Sequence, residues 1–156
     1  MLQLARYSIG IGDRFAHQAE AQLQACIQLH QEGPLVVPVW NKSNREHSFI
    51  GSGPDSVLAA ARAAVSALAR PHPWHVDADH IRMETVDRFL PHSDFFTIDV
   101  ADSIGRPPGA GEAEAFVDAH PELVGELRID GIDGVVRTTR AEVVGWASKY
   151  LLAARD

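Results

Sequence analysis

Four short polar clusters in the sequence carry residue types that could do chemistry: Gly12-Asp13-Arg14, Asn41-Lys42-Ser43-Asn44-Arg45-Glu46-His47, Asp77-Ala78-Asp79-His80 and Asp99-Val100-Ala101-Asp102. Asp77, Asp79 and His80 combine carboxylates with an imidazole, a donor set suited to Zn, Mn, Ni, Co or Fe rather than Ca. In an extended segment, alternation turns Asp77 and Asp79 to one side and Ala78 to the other. The plainer reading of Asp79 is a turn or helix cap. Asp99 and Asp102 fit a general base and its orienting partner, or a solvated loop with an N-cap. Arg14, held by Asp13, is a candidate bidentate clamp for a substrate carboxylate. Lys42 offers a second cation, and surface ion pairs are the alternative for both. Asn44, Arg45, Glu46 and His47 mix donors and acceptors, as a hydroxyl-rich substrate needs.

What matters is whether the backbone brings these clusters together, and each follows an apolar run. Tyr7 to Ile11, Leu35 to Trp40, Trp74 to Ala78 and Phe95 to Val100 read as strands. Between them, Ala16, Ala19, Leu23, Cys26 and Ile27 recur at helical spacing within a helix from Phe15 to His30. Val57, Leu58, Ala61, Ala64, Val65 and Leu68 form the stripe of a second helix, with Pro54 at its first position. Arg82 to Leu90 reads as a short third helix. Pro38 cannot donate to a ladder, so a distortion is expected near the end of the second strand.

The order β-α-β-α-β-α-β predicts an α/β fold with a parallel sheet and right-handed crossovers. Four such strands make the first half of a (β/α)8 TIM-like barrel, and a small doubly wound sheet is the alternative. In either, strand carboxyl ends converge on one face, where active sites are built. Beyond residue 104 the pattern changes. A Gly/Pro loop leads to a helix over Glu112 to Ala119. A hairpin is expected of Leu127-Arg128-Ile129 and Val135-Val136-Arg137, and Thr139 with Glu142 spells a capping box for a C-terminal helix running to Asp156. One partial domain is expected, with βα units over 1–104 and the loop, hairpin and helix over 105–156, forming the N-terminal part of a longer barrel.

Composition narrows the functions. The 156 residues carry a net charge of -7, which opposes nucleic-acid backbone binding. A single cysteine, Cys26, excludes a disulfide framework and suits a cytoplasmic setting. No run approaches a membrane span, and the amino terminus lacks leader architecture. No nucleotide cofactor is expected. Gly10-Ile11-Gly12 begins a dinucleotide fingerprint, but Phe15 occupies the third glycine position. Neither a phosphate-binding Gly-Lys-Ser/Thr nor a Gly-x-Ser-x-Gly elbow is present. The remaining scattered histidines read as structural or exposed.

Taken in order, Gly12-Asp13-Arg14, Ser43-Asn44-Arg45-Glu46, Asp77-Ala78-Asp79-His80 and Phe96-Thr97-Ile98-Asp99, closed by Asp102, resemble the motifs of the tagaturonate epimerase family. The likeness runs from about Tyr7 to Asp102 and continues toward the last helix. It implies a metal-dependent, barrel-like isomerase, longer than this chain, that interconverts fructuronate and tagaturonate. It further implies a divalent metal on His80 and Asp79. Asp77, Asp99 and Asp102 would be catalytic, and Asp13, Arg14, Lys42, Asn44, Arg45 and Glu46 would contact a sugar acid. The inverted carbon lies two bonds from the ketone, so simple enolisation does not acidify its C–H. Retro-aldol cleavage, rotation and re-addition are then expected, with the metal polarising the ketone and Arg14 on the uronate carboxylate. The expected partners are a small-molecule sugar acid and either a second copy or the C-terminal half. A noncatalytic sugar-acid-binding module and another metal-dependent barrel enzyme, aldolase or sugar isomerase, are the competing functions.

Overall fold

The computed structural model describes residues 5–155. Residues 1–4, on which the reading of the amino terminus partly rests, and residue 156, the expected end of the last helix, lie outside the described residues. The apolar runs form β1 (Ser8–Gly12), β2 (Val37–Ser43), β3 (His75–Ile81) and β4 (Phe95–Ile98). Between them lie α1 (Ala19–Glu32), α2 (Asn44–Ile50), α3 (Asp55–Ala67) and the single turn α4 (Met83–Val86). The four strands make one parallel sheet in the order β1-β2-β3-β4. This is the predicted α/β arrangement. The order contains no reversal of the kind that opens the crevice of a doubly wound sheet.

Helices α1 and α3 cover one face because their apolar stripes need burial. Leu23, Ala61 and Ala64 pack there on Trp40 and Val76, with Ile11 at the margin. The Trp40 indole N–H donates to Gln22 Oε1 at 3.1 Å, which satisfies its one polar atom. The sheet's other face carries Asn41 and Ser43 of β2, in register with Asp77 and Asp79 of β3.

Several expectations change at the element ends. Pro38 sits inside the β1–β2 ladder opposite Ile9 without disturbing it. Val37 N–H bonds Tyr7 C=O on the β1 side, so the donor missing at Pro38 faces β3, whose pairing begins only at Val39. The distortion occurs instead between Ala78 and Ile81, where the register with β4 shifts. His80 there adopts a left-handed φ of 52°. β3 runs three residues beyond the expected Ala78. The polar segment after β2, for which no helix is expected from the sequence, contains α2. Ser43 and Glu46 form its capping box, and Gly51 in the left-handed conformation ends it. The Arg82 to Leu90 helix shrinks to α4.

A second compact unit begins at Val100. It holds α5 (Glu112–Ala119), the antiparallel pair β5 (Gly125–Leu127) and β6 (Val136–Thr138), α6 (Arg140–Trp146) and α7 (Leu152–Arg155), with a π turn at Ala147–Leu151. The hairpin is therefore found, with a longer loop than expected and its first strand displaced toward Gly125. The Thr138 hydroxyl donates to Leu123 C=O at 2.6 Å and accepts from Gly125 N–H at 3.1 Å, which fixes the base of the hairpin. Thr139 and Glu142 form the expected capping box. Ala113, Ala147 and Leu152 bury a small core beside Phe116 and Val144. No helix among the described residues is long and apolar enough to cross a membrane.

Candidate active site

At the carboxyl ends of β2, β3 and β4 the first unit opens a pocket of about 310 Å³, lined by Ser43, Asn44, Arg45, His80, Arg82, Thr85 and Asp99. Parallel strands place these residues together, since each lies at or just after a strand end. Four of them, Asn44, Arg45, His80 and Asp99, are candidates from the sequence motifs. Arg82 and Thr85 were not among the candidates. Their signal was the extra length of β3: a strand continued to Ile81 makes Arg82 a strand-end residue. Arg82 donates to Asp99 Oδ2 through Nε at 2.9 Å and Nη2 at 2.7 Å, a charge-assisted fork that ties the end of β3 to the end of β4. Asn44 Oδ1 accepts from Arg88 Nη1 at 2.8 Å.

Asp77 lies on the sheet face opposite α1 and α3 and is only 5% exposed. Thr97 donates to its Oδ2 at 2.7 Å, whereas its Oδ1 is buried without a hydrogen-bond partner. Burial pushes its carboxyl above the usual range; the Thr97 bond opposes this and the neighbouring Asp79 adds to it. Across the ladder stands Asn41. The β1 residues beside it are glycines, and a Cβ at Gly12 would come within 3.0 Å of Asn41 Oδ1. Asp79 Oδ1 accepts from the exposed His80 ring through Nδ1 at 2.8 Å.

The other candidates have local partners. Asp13 accepts from the backbone N–H groups of Phe15 and Gln18 and shapes the approach to α1. Arg14 lies 3.6 Å from Glu46 Oε1 and over the Phe49 ring. Glu46 Oε2 accepts from the Ser43 N–H and hydroxyl. Burial alone would raise the Glu46 carboxyl, but the Ser43 bonds and the Arg14 charge hold it below the usual range.

Lys42 is buried on the helix-covered face and donates to Ser52 Oγ at 3.1 Å. Burial lowers its pKa, and Glu46 and Asp13 partly offset this. An ammonium only donates, so Ser52 Oγ accepts from Lys42, and the same hydroxyl lies 2.9 Å from His47 Nδ1. Asp102 is exposed in the turn that follows Val100 and belongs to the second unit.

The donors present test the fit to a metal. Asp79 and His80 bond one another, and among the described residues no group of three His, Cys, Asp or Glu is arranged to hold a metal ion. Asp77 Oδ1 is an orphaned buried oxygen nearby in sequence, yet this trio does not make a metal site by itself.

The fold and the pocket together define a sequential parallel α/β unit with a polar, cationic recess at its strand carboxyl ends. No protein-family model and no curated protein matches the chain. Solved structures do. The native structure of fructuronate-tagaturonate epimerase UxaE from Cohnella laeviribosi is 21% identical, with a TM-score of 0.66, over 94% of this chain and 32% of that chain. Its complex with one glycerol gives 20% identity, the same TM-score and the same coverage. The complex with two glycerols gives 20% identity, a TM-score of 0.65, and 93% and 32% coverage. At this identity the likeness is one of fold, and the chain spans about a third of the epimerase it resembles.

Proposed function

We propose that this chain carries the sugar-acid pocket and part of the acid–base machinery of an epimerase acting on keto-hexuronates of the tagaturonate/fructuronate type. The observation that carries this reading is the match of 94% of the chain to a fructuronate-tagaturonate epimerase at a TM-score of 0.66. The recess of about 310 Å³ at the strand carboxyl ends supports it. In this reading Arg45, rather than the Glu46-paired Arg14, faces the uronate carboxylate, and Asn44 and Thr85 face hydroxyls. Asp77 or Asp99 takes the proton from the hydroxyl on the carbon to be inverted. The adjacent carbon–carbon bond on the ketone side breaks, and its electron pair passes into the ketone to give an enediolate and an aldehyde. Rotation of the aldehyde, re-addition to its other face and return of the proton complete the inversion. A divalent metal, when bound, would polarise the ketone. Asp79 and His80 would be two of its donors, and no third is arranged among the described residues.

The test is interconversion of tagaturonate and fructuronate in D2O with Mn²⁺, Ni²⁺, Co²⁺ or Zn²⁺, followed by NMR. Epimerisation without deuterium at the inverted carbon is expected. No interconversion with any metal overturns the function, and deuterium at that carbon replaces bond cleavage with proton removal. A second reading, sugar-acid binding without turnover, draws support from the absence of a three-donor metal group among the described residues. It predicts ligand affinity at unchanged ligand composition.

A further inference from the structure

Both edges of the four-stranded sheet are open among the described residues, because β1 pairs only with β2 and β4 only with β3. Free edges recruit other strands, and natural sheets guard them with charges or proline. The β5–β6 pair follows that rule, since its exposed strands carry Glu126 and Arg137 bonded to one another. Neither β1 nor β4 contains a charged residue or a proline. Instead Ile9 and Ile98 leave 49% and 68% of their surface open at the two edges. The bond from Val37 N–H to Tyr7 C=O turns the backbone of residues 7, 9 and 11 toward β2. The exposed Ser8 and Gly10 therefore point their N–H and C=O groups outward.

The sheet register says which strand fits these edges. Gly12 lies level with Asn41, Asn41 with Asp77, and Asp77 with Phe95. A parallel barrel of eight strands has a shear of about 8 residues, so each of two identical halves supplies about four. One further step from Phe95 then lands four residues back from Gly12, on Ser8. Every residue of β4 is matched in this way: Phe95 by Ser8, Phe96 by Ile9, Thr97 by Gly10 and Ile98 by Ile11. Alternation puts Phe96, Ile98, Ile9 and Ile11 on the helix-covered side, where they become apolar neighbours across the seam. On the inner side Phe95 and Thr97 meet the small Ser8 and Gly10, which leaves room for the larger pair. A shift in the opposite sense sets Phe95 against Ala16, outside β1.

We infer that two copies of this chain close one eight-stranded parallel barrel, β4 of each pairing with β1 of the other about a two-fold along the barrel axis. Such an axis keeps all the strands parallel and leaves no edge, so assembly stops at two. Tyr7, Ile9, Phe96 and Ile98 leave open on the order of 400 Å² per copy at the seams, about half of the ~800 Å² that each partner of a stable interface buries. The edge backbone and the inner side chains supply the remainder. Closure also extends the recess, which in one copy is lined from β2 to β4 alone. The turn after β1 brings Asp13 and Arg14 of the partner subunit to the side of Asp99. Assembly needs no turnover, so this inference stands or falls apart from the epimerase reading.

The experiment is sedimentation velocity of the 156-residue chain across a concentration series, with a species of twice 17.0 kDa expected. Ile9→Lys and Phe96→Glu each place an unpaired charge at both seams. Each should weaken the dimer at least about hundredfold, about tenfold for each seam. Mixed in equal parts, the two variants should recover a dimer, because one seam is then unaltered and the other sets Lys against Glu. Ile9 is exposed, so Ile9→Lys reports even if Phe96→Glu fails to fold. In the unaltered chain, exchange protection of the Ser8 and Gly10 amides should rise with concentration. A 17.0 kDa species throughout leaves the edges to a strand from outside this chain and overturns the inference. Mass that grows past the dimer, indifference to Ile9→Lys, or a mixture of folded variants that stays monomeric overturns it equally. Dimers that fail to epimerise keto-hexuronates retain the closed barrel and lose the proposed function. Monomers that epimerise them retain the function and lose the barrel.

Discussion

The buried Lys42–Ser52–His47 chain makes the stability of the first unit fall in mild acid, by an amount that follows from the structure. His47 is 1% exposed, shares a hydrogen bond with the Ser52 hydroxyl and packs 5.7 Å from the Phe89 ring. Its Nε2 is buried without a partner. Burial, reinforced by the Lys42 and Arg88 charges, lowers its pKa from 6.5 to about 4. The folded state therefore favours the neutral ring, and the unfolded chain takes up the proton first as pH falls. The contribution of His47 is complete above pH 6.5, is lost between 6.5 and about 4, and changes no further below that. At 1.36 kcal/mol per unit the loss amounts to about 3 kcal/mol. His47→Asn places an amide oxygen near the Nδ1 position and removes the titration. Urea unfolding at pH 7.5, 6.0 and 4.5, followed by tryptophan fluorescence in a Trp146→Phe background, reads the first unit. The wild-type chain should lose about 2 kcal/mol more than the variant between pH 6.0 and 4.5. Parallel pH profiles for the two proteins would refute the reasoning.

Three further perturbations test the framework around the pocket. Ser43→Ala removes the hydroxyl half of the α2 capping box and should cost about 1 kcal/mol in thermal or urea unfolding: the Glu46 N–H loses its Ser43 Oγ acceptor and Glu46 Oε2 loses the hydroxyl donor, while the backbone N–H of residue 43 still donates to Oε2. Thr97→Val removes the hydroxyl bond to Asp77 Oδ2 and leaves that carboxyl the backbone N–H of residue 97 alone, so it should destabilise the chain by about 1 kcal/mol at pH 7; Thr97→Ser should restore most of that. Gly12→Ala brings a methyl within 3.0 Å of Asn41 Oδ1, so the Asn41 side-chain amide signals should shift, whereas Gly131→Ala at an open turn should leave them in place.

The strands, their order and the pocket's place at the carboxyl ends were legible because apolar runs of strand length alternate with helical stripes. Ends and partners were less so. Ser43-x-x-Glu46 is the same capping signature as Thr139-x-x-Glu142, yet only the second precedes a long apolar stripe, so α2 was hidden among polar residues. Asp13 reads as an ion-pair partner for Arg14, but two backbone N–H groups beside it offer bonds at lower entropic cost than a mobile guanidinium. Arg82 was hidden by the left-handed turn at His80, which lengthens β3 past the point where alternation alone would stop it. Lys42 has the right charge for a substrate cleft and the wrong parity, since strand alternation turns it toward the helices.

That left-handed turn also sets a trap for selection. A histidine at φ 52° costs the backbone on the order of 1 kcal/mol, a cost glycine or asparagine would relieve. A library screened only for heat resistance should therefore enrich His80→Gly and His80→Asn. The survivors would be sturdier proteins without the imidazole that lines the recess, so thermal screening of this scaffold has to carry a ligand in the selection.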